Sequence, residues 1–298
     1  MIFPSSPENI RRAAALLRAG HLVVMPTETV YGLAANALDE NAIRAIFAAK
    51  GRPASNPLIV HVTDAAMARS LAAEWPANAE SLAQYFWPGP LTIVVPKIPK
   101  IPLLVTAGLP TVALRSPAHP VAQSLIREAG VPLAAPSANR FTELSPTTAA
   151  HVPPRLAEMI LDGGPCTVGI ESTVITLAIS GPRILRPGMI TRAQIEGVIG
   201  PVEEGAGRES PGQHPKHYRP RTPVVLGANP ATGRGRRLDC ATMPGDPAGY
   251  AEALYRTLHD LDTEGLDWIA VEPPPAGPEW AGIRDRLHRA AQDSEGIW

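Results

Sequence analysis

The sequence predicts an α/β fold in two parts, and three observations carry that expectation. Apolar runs of strand length are interleaved, without strict alternation, with segments whose apolar residues repeat at i, i+3 and i+4. That pattern favours a mixed α/β sheet over a clean doubly wound one. Periodicity stops between residues 200 and 223, a stretch rich in Pro, Gly and charge, and resumes beyond it. This stretch reads as a linker at 201–222, between a part at 1–200 and a smaller one at 223–298.

Local signals justify the elements in turn. Ser6-Pro7-Glu8 gives an N-cap, a proline at the first helical position and an acid in the first turn. Ile10, Ala13, Ala14 and Leu17 form its buried face, and Gly20 ends it. A buried strand at 22–25 ends at Pro26 and gives way to a polar loop carrying Thr27, Glu28, Thr29 and Tyr31 before Gly32. Asp39 caps a helix over 40–50 with Ile43, Ile46 and Phe47 inward, Lys50 in its last turn and Gly51 just past it. A second polar loop leads to a strand at 58–62. Helices follow at 64–73 and 78–86, the latter broken by Trp87-Pro88-Gly89-Pro90. Strands are expected at 91–95 and 111–114, a helix at 120–129 closed by Gly130, and a short strand at 133–135. Ser145-Pro146 repeats the helix-start signature. Strands at 160–161, 172–177 and 183–185 precede a helix capped by Thr191. Beyond the linker, strands at 224–226, 237–241 and 268–271 and helices at 248–261 and 283–291 make a small α/β domain.

Composition narrows the class. Hydrophobic residues make up 45% and charged residues 18% of the 298, as in an ordinary globular protein. The net charge of −1 argues against a chain-wide polycation made for nucleic acid, so any RNA contact must be local. Two cysteines far apart and without a CxxC offer neither a disulfide framework nor a zinc site, which fits a reducing cytoplasm. No leader pattern and no membrane-length apolar run is present.

Candidate chemistry lies where strands end. Lys50 and Arg52, two cations beyond a helix end and ahead of a strand with Asn56 and His61 near by, suit an anionic ligand, although they could equally complement the helix dipole. Pro136-Ser137-Ala138-Asn139-Arg140 offers a hydroxyl and an amide after a buried strand, or an ordinary turn. Arg115 ends an apolar strand, Glu171-Ser172-Thr173 opens another, and Arg186 closes a third. No GxxxxGK[ST], GxGxxG or HExxH occurs, so a nucleotide site must be of another kind. Lys216, His217, Tyr218, Arg219, Arg221, Arg234, Arg236 and Arg237 form the one local basic concentration, readable as a solvated linker, an RNA patch or a lid. The eight histidines show no metal-ligand spacing, and Pro215 between His214 and His217 argues against a metal-binding helix face.

The motifs PTETVYGLA (26–34), AKGRPASNPLIVHV (49–62), WPGPLTIVV (87–95), VALRSP (112–117), PSANRFTELSPT (136–147), GIESTVI (169–175) and LRPGMIT (185–191) occur in order. Together they resemble the YrdC-like family of threonylcarbamoyl-adenylate synthases, across roughly residues 8–200. SPGQHPKHYRPR (210–221), with the later LYRTLHDLD and IRDRLHRAA, resembles the linker and tail of its two-domain, Sua-type members. The tail is shortened after Leu226. The resemblance implies a twisted mixed sheet around a concave cavity, plus a small Rossmann-like tail. It implies condensation of L-threonine, bicarbonate and ATP to threonylcarbamoyl-AMP and pyrophosphate, for N6-threonylcarbamoyladenosine in tRNA. Lys50 and Arg52 would act on the phosphates, with Asn56, Ser137, Asn139, Ser145, Arg186, His217, Tyr218 and, more weakly, Thr111 around the ATP. Thr29, His61, Arg115, Ser172 and the backbone at Ala135 would hold threonine. Mg²⁺ would arrive on ATP, and tRNA threonylcarbamoyl-transferase proteins would act downstream. A cavity domain that binds RNA without catalysis is the other class of reading. A carbamoyl-adenylate former like the related domain of hydrogenase-maturation proteins is a third, but that domain normally sits in a longer chain with zinc-finger cysteines.

Overall fold

Where capping chemistry is local, the helices form as the sequence predicts. The structure, a computed structural model, describes residues 1–178, 181–205, 207–210 and 217–291. Strand β1 (Ile2–Pro4) leads into α1 (Pro7–Arg18), capped by Ser6 through the Asn9 amide. Then come β2 (Val23–Met25), β3 (Gly32–Asn36) and α2 (Glu40–Lys50). Asp39 accepts from the Asn41 and Ala42 amides, and Gly51 ends α2 at φ 63°, a left-handed value that glycine adopts without strain. Next are β4 (Ile59–His61), α3 (Ala65–Arg69), α4 (Ala77–Phe86), β5 (Leu91–Pro96) and β6 (Thr111–Arg115). They are followed by α5 (Pro120–Ala129), β7 (Leu133–Ala134), β8 (Met159–Asp162), β9 (Thr173–Thr176) and β10 (Arg183–Arg186). Helix α6 (Arg192–Ile199), with a capping box between Thr191 and Gln194, and β11 (Glu203–Glu204) complete the first part.

Among the described residues, these strands make one mixed 11-stranded sheet in the order β1-β8-β2-β3-β7-β4-β6-β5-β9-β10-β11. One face packs on α2, α4 and α6 through residues such as Val24, Leu33, Val60, Ile93, Leu114 and Ile175. The other face is covered by α1 and α5, but only over β8, β2, β3 and β7. Over β4, β6, β5, β9 and β10 that face carries only the small cluster of Ile59, Val94, Ala113, Val174 and Leu185. Period-2 alternation therefore leaves one half of a sheet face without a helix, and a cavity lies there.

The tail contains β12 (Val224–Leu226), β13 (Gly235–Leu238), α7 (Pro247–Asp262), β14 (Trp268–Val271) and α8 (Ala281–Ala290). Its strands form a parallel sheet in the order β12-β14-β13. Residues 227–234 join β12 to β13 without a helix, where a parallel crossover usually takes about a dozen residues or more. The tail's core continues into the first part and the linker: Val30, Leu144 and Ile170 of the first and Tyr218 of the second belong to the same apolar cluster as Leu254, Tyr255 and Ile283.

Several expectations need correction. Residues Gly32–Asn36 are a strand rather than loop, because β2 and β7 pair with both their edges. Ser145-Pro146 starts no α-helix, since the Ser145 hydroxyl donates to Glu171 instead of capping, and only a 3₁₀ turn follows at Ala149–His151. The helix expected at 64–73 spans only Ala65–Arg69, and β13 begins two residues earlier than 237. Strands β1 and β11 had no sequence signal beyond a few residues. No helix among the described residues is long and apolar enough to cross a membrane.

Candidate active site

Strand ends and the linker converge on one cavity of about 50 Å³. Its walls include Thr29 after β2, Arg52 after α2, His61 on β4, Arg115 on β6, Ala135 and Ser137 after β7, Glu171 and Ser172 before β9, Arg186 on β10, and His217 and Tyr218 of the linker. Ten of the expected site residues thus meet in one place although they are spread over 190 positions of sequence, from Thr29 to Tyr218.

Around Arg115 the charges are balanced. Its Nη2 donates to Glu28 Oε1 at 2.6 Å, Nη1 to Thr29 Oγ1 at 2.9 Å and Nε to the Gly89 carbonyl at 3.3 Å. Glu28 Oε2 accepts from the Ala118 amide at 3.0 Å. Both side chains are buried, so this is a desolvated pair whose remaining valences are satisfied, the condition under which such pairs are tolerated. The Arg115 guanidinium, which the resemblance expects to hold threonine, is therefore partly occupied by Glu28. Thr27 braces the loop, its hydroxyl donating to the Val30 carbonyl at 2.6 Å with Thr29 Oγ1 2.9 Å away. Burial, reinforced by Arg115, holds His61 down to about 3, so its imidazole is neutral at any working pH. Ser172 pairs with Thr92 at 2.7 Å.

Around Arg52 they are not. Its Nη2 donates to the Pro57 carbonyl at 2.9 Å and Nε to the Asn56 carbonyl at 3.4 Å, and among the described residues no carboxylate pairs with it. Burial lowers its pKa to about 10, and the neighbouring Arg186 pushes the same way, against the Tyr218 hydroxyl. Arg186 grips Ser172, with Nη2 2.9 Å from its carbonyl. His217 is held far below its ordinary value by burial and then by Arg52, Lys50, Arg186 and Arg286. Four cations thus surround His217, with Glu171 beside Arg186 and Arg286 as counter-charge.

Among the described residues, three side-chain atoms on cavity residues find no hydrogen-bond partner: His61 Nδ1, His217 Nδ1 and the Tyr218 hydroxyl. Buried polar atoms are almost always satisfied, so three orphans in one cavity mark a ligand position.

Five expected residues do not line it. Lys50 is buried behind the loop after β7, its ammonium donating to the carbonyls of Ser137 (2.6 Å) and Asn139. Asn139 ties that loop through the carbonyls of Arg140 and Glu143. Ser145 donates to Glu171 Oε1 at 2.6 Å, and Asn56 offers its carbonyl to Arg52. Thr111 pairs with Pro96 at the far end of β6 from Arg115. Tyr31, one of the opening polar loop's groups, bonds the Gly164 carbonyl away from the cavity. Sequence reasoning named Glu28 and Glu171 only in passing and gave Arg286 and Tyr255 of the tail no role. A carboxylate beside a motif hydroxyl was the available signal for the first two. In the basic stretch, Arg221, Arg236 and Arg237 pair with Asp262, Glu264 and Asp239, which leaves less net charge for RNA. Lys216 and His214 lie outside the described residues.

A family described as "Telomere recombination", of Sua5, YciO and YrdC, matches residues 15–188. One described as "Threonylcarbamoyl-AMP synthase, C-terminal domain" matches residues 190–292. The chain belongs to the threonylcarbamoyl-AMP synthase family. It is 40% identical to the threonylcarbamoyl-AMP synthase of Pyrococcus abyssi, over 95% of this chain and 94% of the other. To that of Bacillus subtilis it is 41% identical, over 95% and 92%. Among solved structures, P. abyssi Sua5 complexed with L-threonine superposes with a TM-score of 0.92 at 37% identity, covering 98% of this chain and 97% of that one.

Proposed function

We infer that the chain is an L-threonylcarbamoyladenylate synthase, condensing L-threonine, bicarbonate and ATP to threonylcarbamoyl-AMP and pyrophosphate. The observation that carries this reading is the division of charge within one cavity. Amino acids are zwitterions, and the Arg115–Glu28 pair offers one partner of each sign. A triphosphate is strongly anionic, and among the described residues Arg52 has no carboxylate of its own. Threonine then lies against Arg115, Thr29, His61, Ser172 and the Ala135 backbone, and the phosphates against Arg52 and Arg186, with Ser137, His217 and Tyr218 towards the nucleotide. Lys50, Asn139, Ser145 and Asn56 act at one remove, by fixing the loops that carry the wall.

In the reaction, the threonine amine and bicarbonate give a carbamate with loss of water. A carbamate oxygen attacks the α-phosphorus, and pyrophosphate leaves with the P–O bonding electrons. The chain has no need of a covalent nucleophile: positioning and fixed positive charge suffice, as in other phosphorus transfers. Mg²⁺ comes as part of the MgATP substrate, held by phosphate oxygens. Among the described residues no cluster of three His, Cys, Asp or Glu stands ready for a metal. The space is enough for only a few waters at about 10–15 Å³ each, so ATP enters once His217 and Tyr218 withdraw, and they close again over an adenylate that water would destroy.

The wider assignments follow from the same reading. Residues 1–200 are the catalytic domain, 201–222 the linker and lid, and 223–298 a tail whose three parallel strands and two helices are Rossmann-like. The enzyme works in the cytoplasm and hands its product to tRNA threonylcarbamoyl-transferase proteins. Pyrophosphate release from ATP tests the proposal. Release that requires both threonine and bicarbonate supports it; retention of RNA with ATP untouched would favour a binding module.

A further inference from the structure

Glu171 is where the tail reaches the cavity wall. Both its carboxylate oxygens are engaged: Oε1 accepts from Ser145 at 2.6 Å, and Oε2 accepts from Arg286 Nε at 2.8 Å and from the Tyr255 hydroxyl at 3.1 Å. Arg286 also donates from Nη2 to the Glu171 carbonyl at 3.1 Å, and from Nη1 to the Pro187 carbonyl at 2.9 Å and Asp285 at 2.7 Å. Tyr255 belongs to α7 and Arg286 to α8, yet their partners Glu171 and Pro187 flank strands β9 and β10 of the catalytic part. Arg286 has a side-chain exposure of 0%, an expensive place for a guanidinium unless its position matters.

The same two side chains seat the linker. The Arg286 guanidinium lies 5.3 Å from the Tyr218 ring centroid, and the Tyr255 ring stacks on it at 5.9 Å and 27°. Tyr218 has φ 61°, a value an L side chain keeps only where its surroundings over-determine it. The docking is close on both helices. A Cβ on Gly169 would meet the Ala251 carbonyl of α7 at 2.2 Å, and one on Gly282 of α8 would meet Gly188 at 2.9 Å. Burial opposes the charge on Glu171, but Arg286 and Arg186 hold its carboxyl below the usual range.

We propose that Arg286 and Tyr255 are positioning residues of the synthase site: through Glu171 they fix Ser145 and the Ser172–Arg186 wall, and by stacking they hold Tyr218 in place. The site is complete only with the tail docked. This rests on the synthase reading above. The test uses the full chain with Tyr255→Phe, which removes one hydroxyl, and Arg286→Lys, which keeps the charge and loses the fork. Loss of a hydrogen bond to a charged group predicts a rise in the ATP KM of about tenfold for Tyr255→Phe, with a smaller change in the threonine KM. Arg286→Lys should lose more, and should lower kcat as well. Should Arg286→Lys fail to fold, Tyr255→Phe carries the test. A lowered melting temperature with parental kcat and KM would make the contact merely structural and overturn the proposal. A second arm needs no turnover: hydrogen exchange at the Arg219 amide, which donates to the Thr142 carbonyl at 3.0 Å. Faster exchange in Tyr255→Phe supports the seat, and a parental rate overturns it. If the parent itself releases no pyrophosphate, the synthase reading falls and this exchange arm alone decides.

Discussion

Arg115 and Arg52 line the same cavity under opposite charge balances. Arg115 donates to a buried carboxylate, a hydroxyl and a carbonyl, so its surroundings are neutral before any ligand arrives. Arg52 donates to two carbonyls only, and shares its neighbourhood with Arg186 and, behind the wall, Lys50. On the proposed reading, the first arrangement would recognise a zwitterion by exchange of partners and the second would attract net negative charge. The difference also predicts which arginine the fold needs. An arginine with a buried counter-ion is part of the structure, whereas one without is held there for its ligand.

The largest effect expected is on stability at the balanced site. Glu28→Gln leaves Arg115 buried beside a neutral amide and should cost about 3–5 kcal/mol of unfolding free energy, read from denaturant titration. A loss below about 1 kcal/mol would mean that water already reaches the pair.

Next is Arg52→Ala, which should lower turnover on the order of a hundredfold or more, as loss of a charge-stabilising donor does, with about 1–3 kcal/mol of stability lost where the Pro57 carbonyl loses its donor. Lys50→Ala separates from it in activity: two buried carbonyls lose their donor at a similar cost of about 1–3 kcal/mol, but turnover should fall less, because Lys50 supports the wall and Arg52 lines it. Equal behaviour of the two variants would erase the distinction between wall and support.

Acid sensitivity is smaller and broader. His61 at about 3 and His151 at about 4, which stacks on His259 at 4.0 Å, are both neutral in the fold. Burial is the leading cause for each, with Arg115 adding at His61 and His259 at His151. Folded values below the unfolded value of about 6.5 mean that the unfolded chain takes up more protons between them. Their contribution is present above about 6.5 and lost as pH falls towards 4 and 3. Each such proton corresponds to a slope of roughly 1 kcal/mol per pH unit between pH 6 and 5, measured by unfolding at each pH, and the lowered His217 adds in the same direction. His61→Gln should flatten that slope.

How much of this was readable from the sequence depended on how local each cause is. Asp39 and Gly51 frame α2 through contacts within four residues, and both were legible. Gly32–Asn36 was not, since GLAAN becomes a strand only because β2 and β7, one near and one a hundred residues away, lie on either side. Ser145 carried the signature of a cap, and its hydroxyl was taken by Glu171, 26 residues on. Lys50 looked like a phosphate ligand because spacing cannot tell a side chain that enters a cavity from one that supports its wall. Arg286, in the charged run IRDRLHRA, had every mark of a solvated face, and only the docking of the tail buries it. Motif residues were therefore legible as a set, whereas their division into cavity wall and supports behind it was not.

The central claim, one cavity with a zwitterion end and an anion end, is tested most directly by binding of threonine and of ATP, each titrated calorimetrically onto the parent, Arg115→Lys and Arg52→Ala. Exchange of a planar fork for a point charge should weaken threonine about tenfold in Arg115→Lys and leave ATP nearly unaffected. Arg52→Ala should do the reverse, losing ATP and keeping threonine. Loss of the same ligand in both variants would contradict the account.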